Sequence, residues 1–236
     1  MQEGKKGLVL VTGGSSGLGY EIARVHLKNG DNVCILGRDH NPLNEAVKDL
    51  RQVAGDAEIF SYKCNVANEE AVSNVFKSIQ DKGYQINCLY NIAGIGLFGE
   101  PEKVSREMID KLLEGNFIGL IVMSTHAIRA MKEDGGKIIN VMSSAAKKAN
   151  ANESVYCGVK WGARGYSQAI AAALKGSKIQ VMLVYPGGMN TPFWEGSGMS
   201  PDLSKFMKPD EVANSIYNAV MGDTSLKISE IAIDRR

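Results

Sequence analysis

The chain has little of what metal-centred or disulfide-stapled proteins need. Its four cysteines (Cys34, Cys64, Cys88 and Cys157) are scattered, with no C-x-x-C pair and no paired histidine. Metal ligation needs clustered ligands, so no metal site is expected. The cysteines read as reduced thiols, three of them in or beside apolar runs. No apolar run approaches the roughly 20 residues that a membrane-spanning helix requires. Nor does one sign of charge dominate. Lys plus Arg is 27, Asp plus Glu is 26 and the net charge is +1, which removes any electrostatic case for nucleic acid or an anionic membrane. The opening MQEGKKGLVLVTGG has two lysines and a short apolar run. Glycines follow where a signal peptide would need its cleavage site, so a cytoplasmic location is expected.

Linkers, repeats and low-complexity segments are absent too, and one domain over residues 1–236 is expected. What the chain does have is alternation. Short β-branched or apolar runs at 7–13, 32–37, 58–63, 86–93, 136–144, 178–186 and 230–234 are separated by helical patterns at 17–29, 42–54, 68–82, 104–132, 153–175 and 209–221. Connections of that length mean βαβ units with right-handed crossovers. The expected class is α/β: a single doubly wound domain with a seven-stranded parallel sheet and helices on both faces. Strands written as continuous apolar runs fit a sheet covered on both sides. The longest irregular stretch, 187–209, holds four glycines and three prolines. Loops this long in compact domains are usually functional, and this one is expected to border a substrate.

LVLVTGGSSGLG places Gly13, Gly17 and Gly19 directly after the first strand, at the opening of the first helix. Glycines there let the backbone turn tightly and approach a pyrophosphate, whose charge rests on the helix N-terminus. The spacing T-G-x-x-x-G-x-G is wider than the G-x-G-x-x-G of most dinucleotide folds.

In that variant, and nearly from end to end, the chain resembles the short-chain dehydrogenase/reductase family. TGGSSGLG resembles the family's cofactor loop, and NIAG (91–94) its Asn-Asn-Ala-Gly motif. EGNFIG carries the helix Asn at Asn116, and NVMSS the catalytic Ser at the end of the fifth strand. YCGVK matches Tyr-x-x-x-Lys, and YPGGMNT matches Pro-Gly-x-x-x-Thr. The resemblance implies a Rossmann fold and a catalytic set of Asn116, Ser143, Tyr156 and Lys160. Ser143 stands three residues after Asn140 and thirteen before Tyr156, the family's spacing, with Ser144 as the alternative. Implied cofactor contacts are Gly13, Ser15, Ser16, Gly17, Leu18, Gly19, Arg38, Asn65, Val66, Asn91, Ala93, Gly94, Tyr156, Lys160, Pro186, Gly187 and Thr191.

Tyr156 and Lys160 are four residues apart, hence on one helix face. A phenol ionises near pH 10 unperturbed, and a nearby ammonium favours the phenolate, so Lys160 is expected to lower the Tyr156 pKa. By resemblance, Tyr156 exchanges a proton with the substrate oxygen and Ser143 holds that oxygen. Lys160 binds the nicotinamide ribose, and Asn116 helps hold a water that relays protons from Lys160 to solvent. After the second strand, Gly37 stands where NAD users place an acid for the ribose 2′-hydroxyl, and Arg38 follows. A guanidinium grips a 2′-phosphate bidentately, so NADP(H) is expected over NAD(H), with Asp39 a possible partner for Arg38. Two departures stand out: Asn65 replaces the family's usual Asp, and Ile92 its second motif Asn.

The expected pocket is apolar and aromatic, from Phe98, Met189, Phe193, Trp194, Met199 and Phe206, with Ser143 at its base. Lys147 and Lys148 read as a solvated turn. A small apolar or aromatic ketone or diketone is the expected substrate, because the chain resembles the family's smaller carbonyl reductases, such as the sepiapterin and benzil reductases, and no long carboxyl-terminal extension follows. Other readings are an alcohol, sugar or hydroxy-acid dehydrogenase, a 3-oxoacyl-carrier-protein reductase (for which no basic docking patch stands out), and a non-catalytic dinucleotide sensor. The intact catalytic set opposes the sensor. Family members assemble through helices corresponding to 104–132 and 153–175, where small residues recur at Gly158, Gly162, Ala163 and Gly165. A homodimer or homotetramer is expected.

Overall fold

Residues 6–222 and 225–236 are described by a computed structural model. Its seven strands are β1 (Lys6–Thr12), β2 (Val33–Gly37), β3 (Ile59–Lys63), β4 (Tyr84–Asn91), β5 (Gly136–Val141), β6 (Ile179–Pro186) and β7 (Glu230–Ile233). They form one parallel sheet in the order β3-β2-β1-β4-β5-β6-β7. This is the doubly wound Rossmann topology. Chain direction along the sheet reverses between β1 and β4, and the crevice beyond their carboxyl ends is where such sheets bind ligands.

The helices are α1 (Gly17–Lys28), α2 (His40–Arg51), α3 (Glu69–Asp81), α4 (Arg106–Leu113), α5 (Gly119–Ala130), α6 (Ser154–Ala173) and α7 (Pro209–Met221). One core joins a sheet face to α1, α2 and α7 through Val11, Ile22, Leu43 and Ile216. The other joins the opposite face to α3, α5 and α6 through Leu10, Val72, Met123 and Ala163. Leu8, Leu10, Ile35 and Leu36 are fully buried, and each such side chain contributes about 1.5–3 kcal/mol by leaving water. All four cysteines are free and buried. Among the described residues no helix is long and apolar enough to cross a membrane, and no three His, Cys, Asp or Glu side chains gather in a metal-binding arrangement.

Two features depart from the sequence expectation. The helix expected over 104–132 is interrupted: α4 runs into a π-helical turn, Glu114–Ile118, before α5 begins. Such turns carry an extra residue and are frequent at functional sites. Beneath the crevice, a chain of buried polar side chains also ties three layers together. Asn91 Nδ2 donates to Ser124 Oγ of α5 (3.0 Å) and to Asn140 Oδ1 of β5 (2.8 Å). Asn140 Nδ2 donates to Ser167 Oγ of α6 (2.8 Å), which donates to Ala163 O (2.8 Å). Satisfied buried networks of this kind fix one arrangement of their elements.

Candidate active site

The loop after β1 is shaped by what cannot be there. Gly13 and Gly17 have φ of 68° and 54°, a backbone region open to glycine. A Cβ on Gly19 would lie 2.2 Å from the Gly13 carbonyl oxygen. Ser16 precedes α1 in extended conformation, and its side chain makes no capping hydrogen bond. The first N–H groups of α1 therefore face the crevice, a ready site for a phosphate. Thr12 Oγ1 accepts from the main-chain N–H of Ile92 (2.9 Å) and Ala93 (3.0 Å), pinning the loop after β4. Both donors are main-chain groups, which is why Ile92 can replace an Asn there.

A cleft of about 590 Å³ opens over this loop and is lined by every residue expected to touch the cofactor except Asn91. Asn91 is the exception: its side-chain amide points into the buried network below the cleft. Asn65 lines the cleft, and its Oδ1 accepts from Ala67 N at 3.1 Å. Arg38 is exposed at the rim and, among the described residues, pairs with no carboxylate, Asp39 included. A Cβ on Gly37 would stand 3.1 Å from the Leu43 side chain and 3.4 Å from Ser15 Oγ, so position 37 leaves little room for an acid.

At the floor, Tyr156 and Lys160 are each 5% exposed and Asn116 is 2% exposed. Lys160 Nζ stands 5.7 Å from the Tyr156 ring centroid. Burial pushes the Tyr156 phenol above its ordinary range, with Glu153 and Cys157 adding to it, while hydrogen bonding from Ser143 pulls the other way. Burial also brings Lys160 down to about 8. The expectation that Lys160 lowers the Tyr156 pKa is therefore corrected. In this dry floor the loss of hydration dominates, Lys160 is not among the groups that shift Tyr156, and burial disfavours the charged form of both side chains. Ser143 Oγ accepts from Ala145 N at 3.1 Å, which orients the hydroxyl at the start of a 3-10 turn, Ser144–Ala146. Of the two candidate serines, Ser143 is the one coupled to Tyr156.

Asn116 sits in the π-helical turn. Its Nδ2 donates to Ile95 O (3.0 Å) and Leu112 O (3.1 Å), while its buried Oδ1 has no partner among the described residues. A Cβ on Gly94 would lie 2.5 Å from that oxygen and 3.7 Å from Lys160 Nζ. An unsatisfied acceptor and a buried ammonium thus border one small space.

Over the floor lies an aromatic wall. Phe98 packs edge-on against Tyr156 with centroids 5.2 Å apart, and Phe193 lies 6.0 Å from Tyr156. Trp194 joins Phe193 (5.3 Å) to Phe206 (5.2 Å). The 187–209 excursion is folded. Met189 and Met207 bridge, Trp194 Nε1 donates to Met189 O (2.9 Å), and Ser197 O accepts from Phe98 N (2.7 Å). Met199 is corrected: it does not line this cleft but lies in a separate shallow depression beyond Trp194. Lys147 is no freely solvated turn residue, since its Nζ lies 3.9 Å from the Tyr185 ring centroid and 3.6 Å from Glu230. Sequence reasoning missed Lys111, Glu114, Asn150 and Glu153, all of which line the cleft. For Glu153 there was a signal: it stands three residues before Tyr156, at the cap of the same helix.

With this geometry in view, known proteins give a consistent comparison. Residues 7–200 match the family described as short chain dehydrogenase. The 3-oxoacyl-[acyl-carrier-protein] reductase of Homo sapiens is 31% identical over 215 residues, covering 91% of this chain and 84% of that protein. A short-chain dehydrogenase/reductase structure from Vibrio parahaemolyticus is 30% identical with a TM-score of 0.85, covering 97% of this chain and 96% of that one. A closed form of serine dehydrogenase complexed with NADP+ is 26% identical with a TM-score of 0.83, covering 96% and 94%. A glycine-shaped crevice, an Asn, Ser, Tyr and Lys at its floor, and a family match over most of the chain place this protein among the oxidoreductases of the short-chain dehydrogenase/reductase family.

Proposed function

We propose that the protein is an NADPH-dependent reductase of small apolar or aromatic ketones and diketones, with Tyr156 as the proton donor. The observation that carries this reading is the aromatic wall of Phe98, Phe193 and Trp194 closing on the Tyr156 ring. A flat apolar carbonyl compound fits such a slot, because offset and edge-on ring contacts add to the burial of its surface.

The chain's residues fit a dinucleotide. The side-chain-free loop at Gly13, Gly17 and Gly19 and the uncapped start of α1 suit a pyrophosphate. Arg38, which pairs with no carboxylate among the described residues and lines the same cleft as Ser15, suits a ribose 2′-phosphate. Lys160, buried without a carboxylate partner among the described residues, suits ribose hydroxyls. The bound nicotinamide supplies the hydride. The chain's own part is proton handling and orientation. Tyr156, neutral at physiological pH, donates its proton to the carbonyl oxygen. The Ser143 hydroxyl, held from behind by Ala145 N, donates a hydrogen bond to the same oxygen. Asn116 Oδ1 and Lys160 border the space through which a water replenishes the proton.

We place this activity in one cytoplasmic domain that assembles as a homodimer or homotetramer. Half-exposed Trp161 and Ile118, with open space above Gly158 and Gly165, support a helix-mediated contact. A second reading, reduction of a 3-oxoacyl thioester, draws support from the likeness to the human reductase.

The test is oxidation of NADPH and of NADH, followed by nicotinamide absorbance, over aromatic diketones, pteridine ketones, aldoses and 3-oxoacyl thioesters, with Tyr156→Phe as control. Turnover of diketones with NADPH that disappears in the control is expected. Faster turnover with NADH overturns the reading of Arg38. Preference for the thioesters selects the second reading, and tight dinucleotide binding without any turnover points to a sensor.

A further inference from the structure

One carboxylate in the cleft has no part in the chemistry above. Glu153 ends the turn before α6 and lines the cleft from the side carrying Tyr156. Its place is fixed rather than incidental. Asn152 adopts a positive φ of 60°, turning the chain sharply ahead of the helix. Gly99 N donates to Asn152 O at 2.8 Å, tying that turn to the strip that carries Phe98. Asn150 Nδ2 donates to Glu153 Oε2 at 2.9 Å. Cys157, one turn on, donates its thiol to Lys148 O at 3.8 Å and holds the other end of the turn. Glu153 Oε1 has no hydrogen-bond partner, and the carboxylate pairs with no cation, among the described residues.

We propose that Glu153 Oε1 and the Phe98–Phe193 face form a substrate subsite for a carbonyl compound bearing an N–H donor, on a ring nitrogen or an amino group. The inference rests on the carbonyl-reductase reading and deepens it by naming the substrate's second recognition group. Glu153 is only half-buried, so its second oxygen stays open to the cleft, where a ligand N–H can meet it in a charge-assisted hydrogen bond. Aromatic walls welcome the positive edge of a nitrogen heterocycle or a cationic amine. Glu153 precedes Tyr156 by one helical turn, about 5 Å, so the donor and the reacting carbonyl lie along one edge of a compact planar molecule. The carboxylate is also close enough to influence the Tyr156 phenol. Lys148 lines the same side but is exposed, and no contact fixes its ammonium among the described residues. Its charge is therefore shared with solvent, and the anchored carboxylate rules.

Isatin and N-methylisatin differ by a single N–H and share the reducible dione. Their kcat/KM values with NADPH are compared in the wild type, Glu153→Gln and Glu153→Leu, and their affinities for the NADP+-loaded protein are measured by calorimetry. Isatin is expected to lead by about tenfold in the wild type, the scale of a hydrogen bond to a charged group. The lead resides in KM, falls in Glu153→Gln, which keeps an acceptor, and approaches unity in Glu153→Leu. A wild-type ratio near one, or a ratio unchanged in Glu153→Leu, overturns the subsite. The two readings fail separately. Binding that prefers isatin without turnover keeps the subsite and removes the reductase. Turnover of both diones without preference keeps the reductase and removes the subsite.

Discussion

Lys160 Nζ lies one helical turn from Tyr156 and 5.7 Å from its ring centroid, with both side chains almost wholly buried. Burial drives the phenol up and the ammonium down, so the resting pair is a neutral phenol beside a cation close to losing its proton. The free protein should therefore lose reductive kcat/KM as pH rises through about 8, where Lys160 discharges. The acid-side form is the active one because the charge is present below that pH. A pH profile of kcat/KM, which reports the free enzyme, checks this, and a flat profile from pH 7 to 10 contradicts it.

The same shift acts on folding. Lys160 gives up its proton near 8 when folded, against an ordinary value of 10.5. Between those values the unfolded chain binds more protons, so this group's contribution to stability rises with pH across the window. Below it, folding must bury a charge. Lys160→Met, similar in length and uncharged, should raise Tm at pH 7 by a few degrees while abolishing turnover, with the gain shrinking towards pH 10. Melting curves at pH 7 and pH 10 test both halves.

Arg38 stands at the cleft rim with no carboxylate partner among the described residues. Arg38→Leu should raise the KM for NADPH about tenfold to a hundredfold, the worth of a charge-assisted contact, and leave that for NADH within about twofold. Steady-state kinetics with both cofactors decide it. An equal loss for the two would assign Arg38 to the loop's architecture.

Asn91→Leu separates a structural amide from a cofactor contact. It strands Asn140 Oδ1 and Ser124 Oγ, so about 1–3 kcal/mol of stability should be lost, read as a lowered urea midpoint. NADPH affinity, measured by fluorescence titration, should hold within about twofold.

Much of this was legible in the sequence because the cues are local. Runs such as those at 32–37 and 178–186 announce strands, and glycines after β1 announce a loop that side chains would block. Tyr156, Lys160, Ser143 and Asn116 follow from the chain's resemblance to the family's motifs and from the spacing those motifs share. What escaped depends on the third dimension. A motif position does not tell whether Asn91 offers its side chain or its backbone to the cleft. Proximity in a helix promised that Lys160 would acidify Tyr156, but the outcome turns on how dry the floor is. Met199 lies in the expected loop yet beyond the wrong side of Trp194. Glu153 was hidden beside two more conspicuous lysines.

The wide turn Glu114–Ile118 stores catalytic geometry as a count of residues rather than as a side chain. Removing Gly115 would let α4 and α5 fuse into one regular helix, closing the widened turn that holds the extra residue while the two halves keep the faces they present. Asn116 would then leave the Ile95 carbonyl that orients it. The shortened helix would be the more regular one, and the site would be undone by a change that substitutes no residue of its machinery.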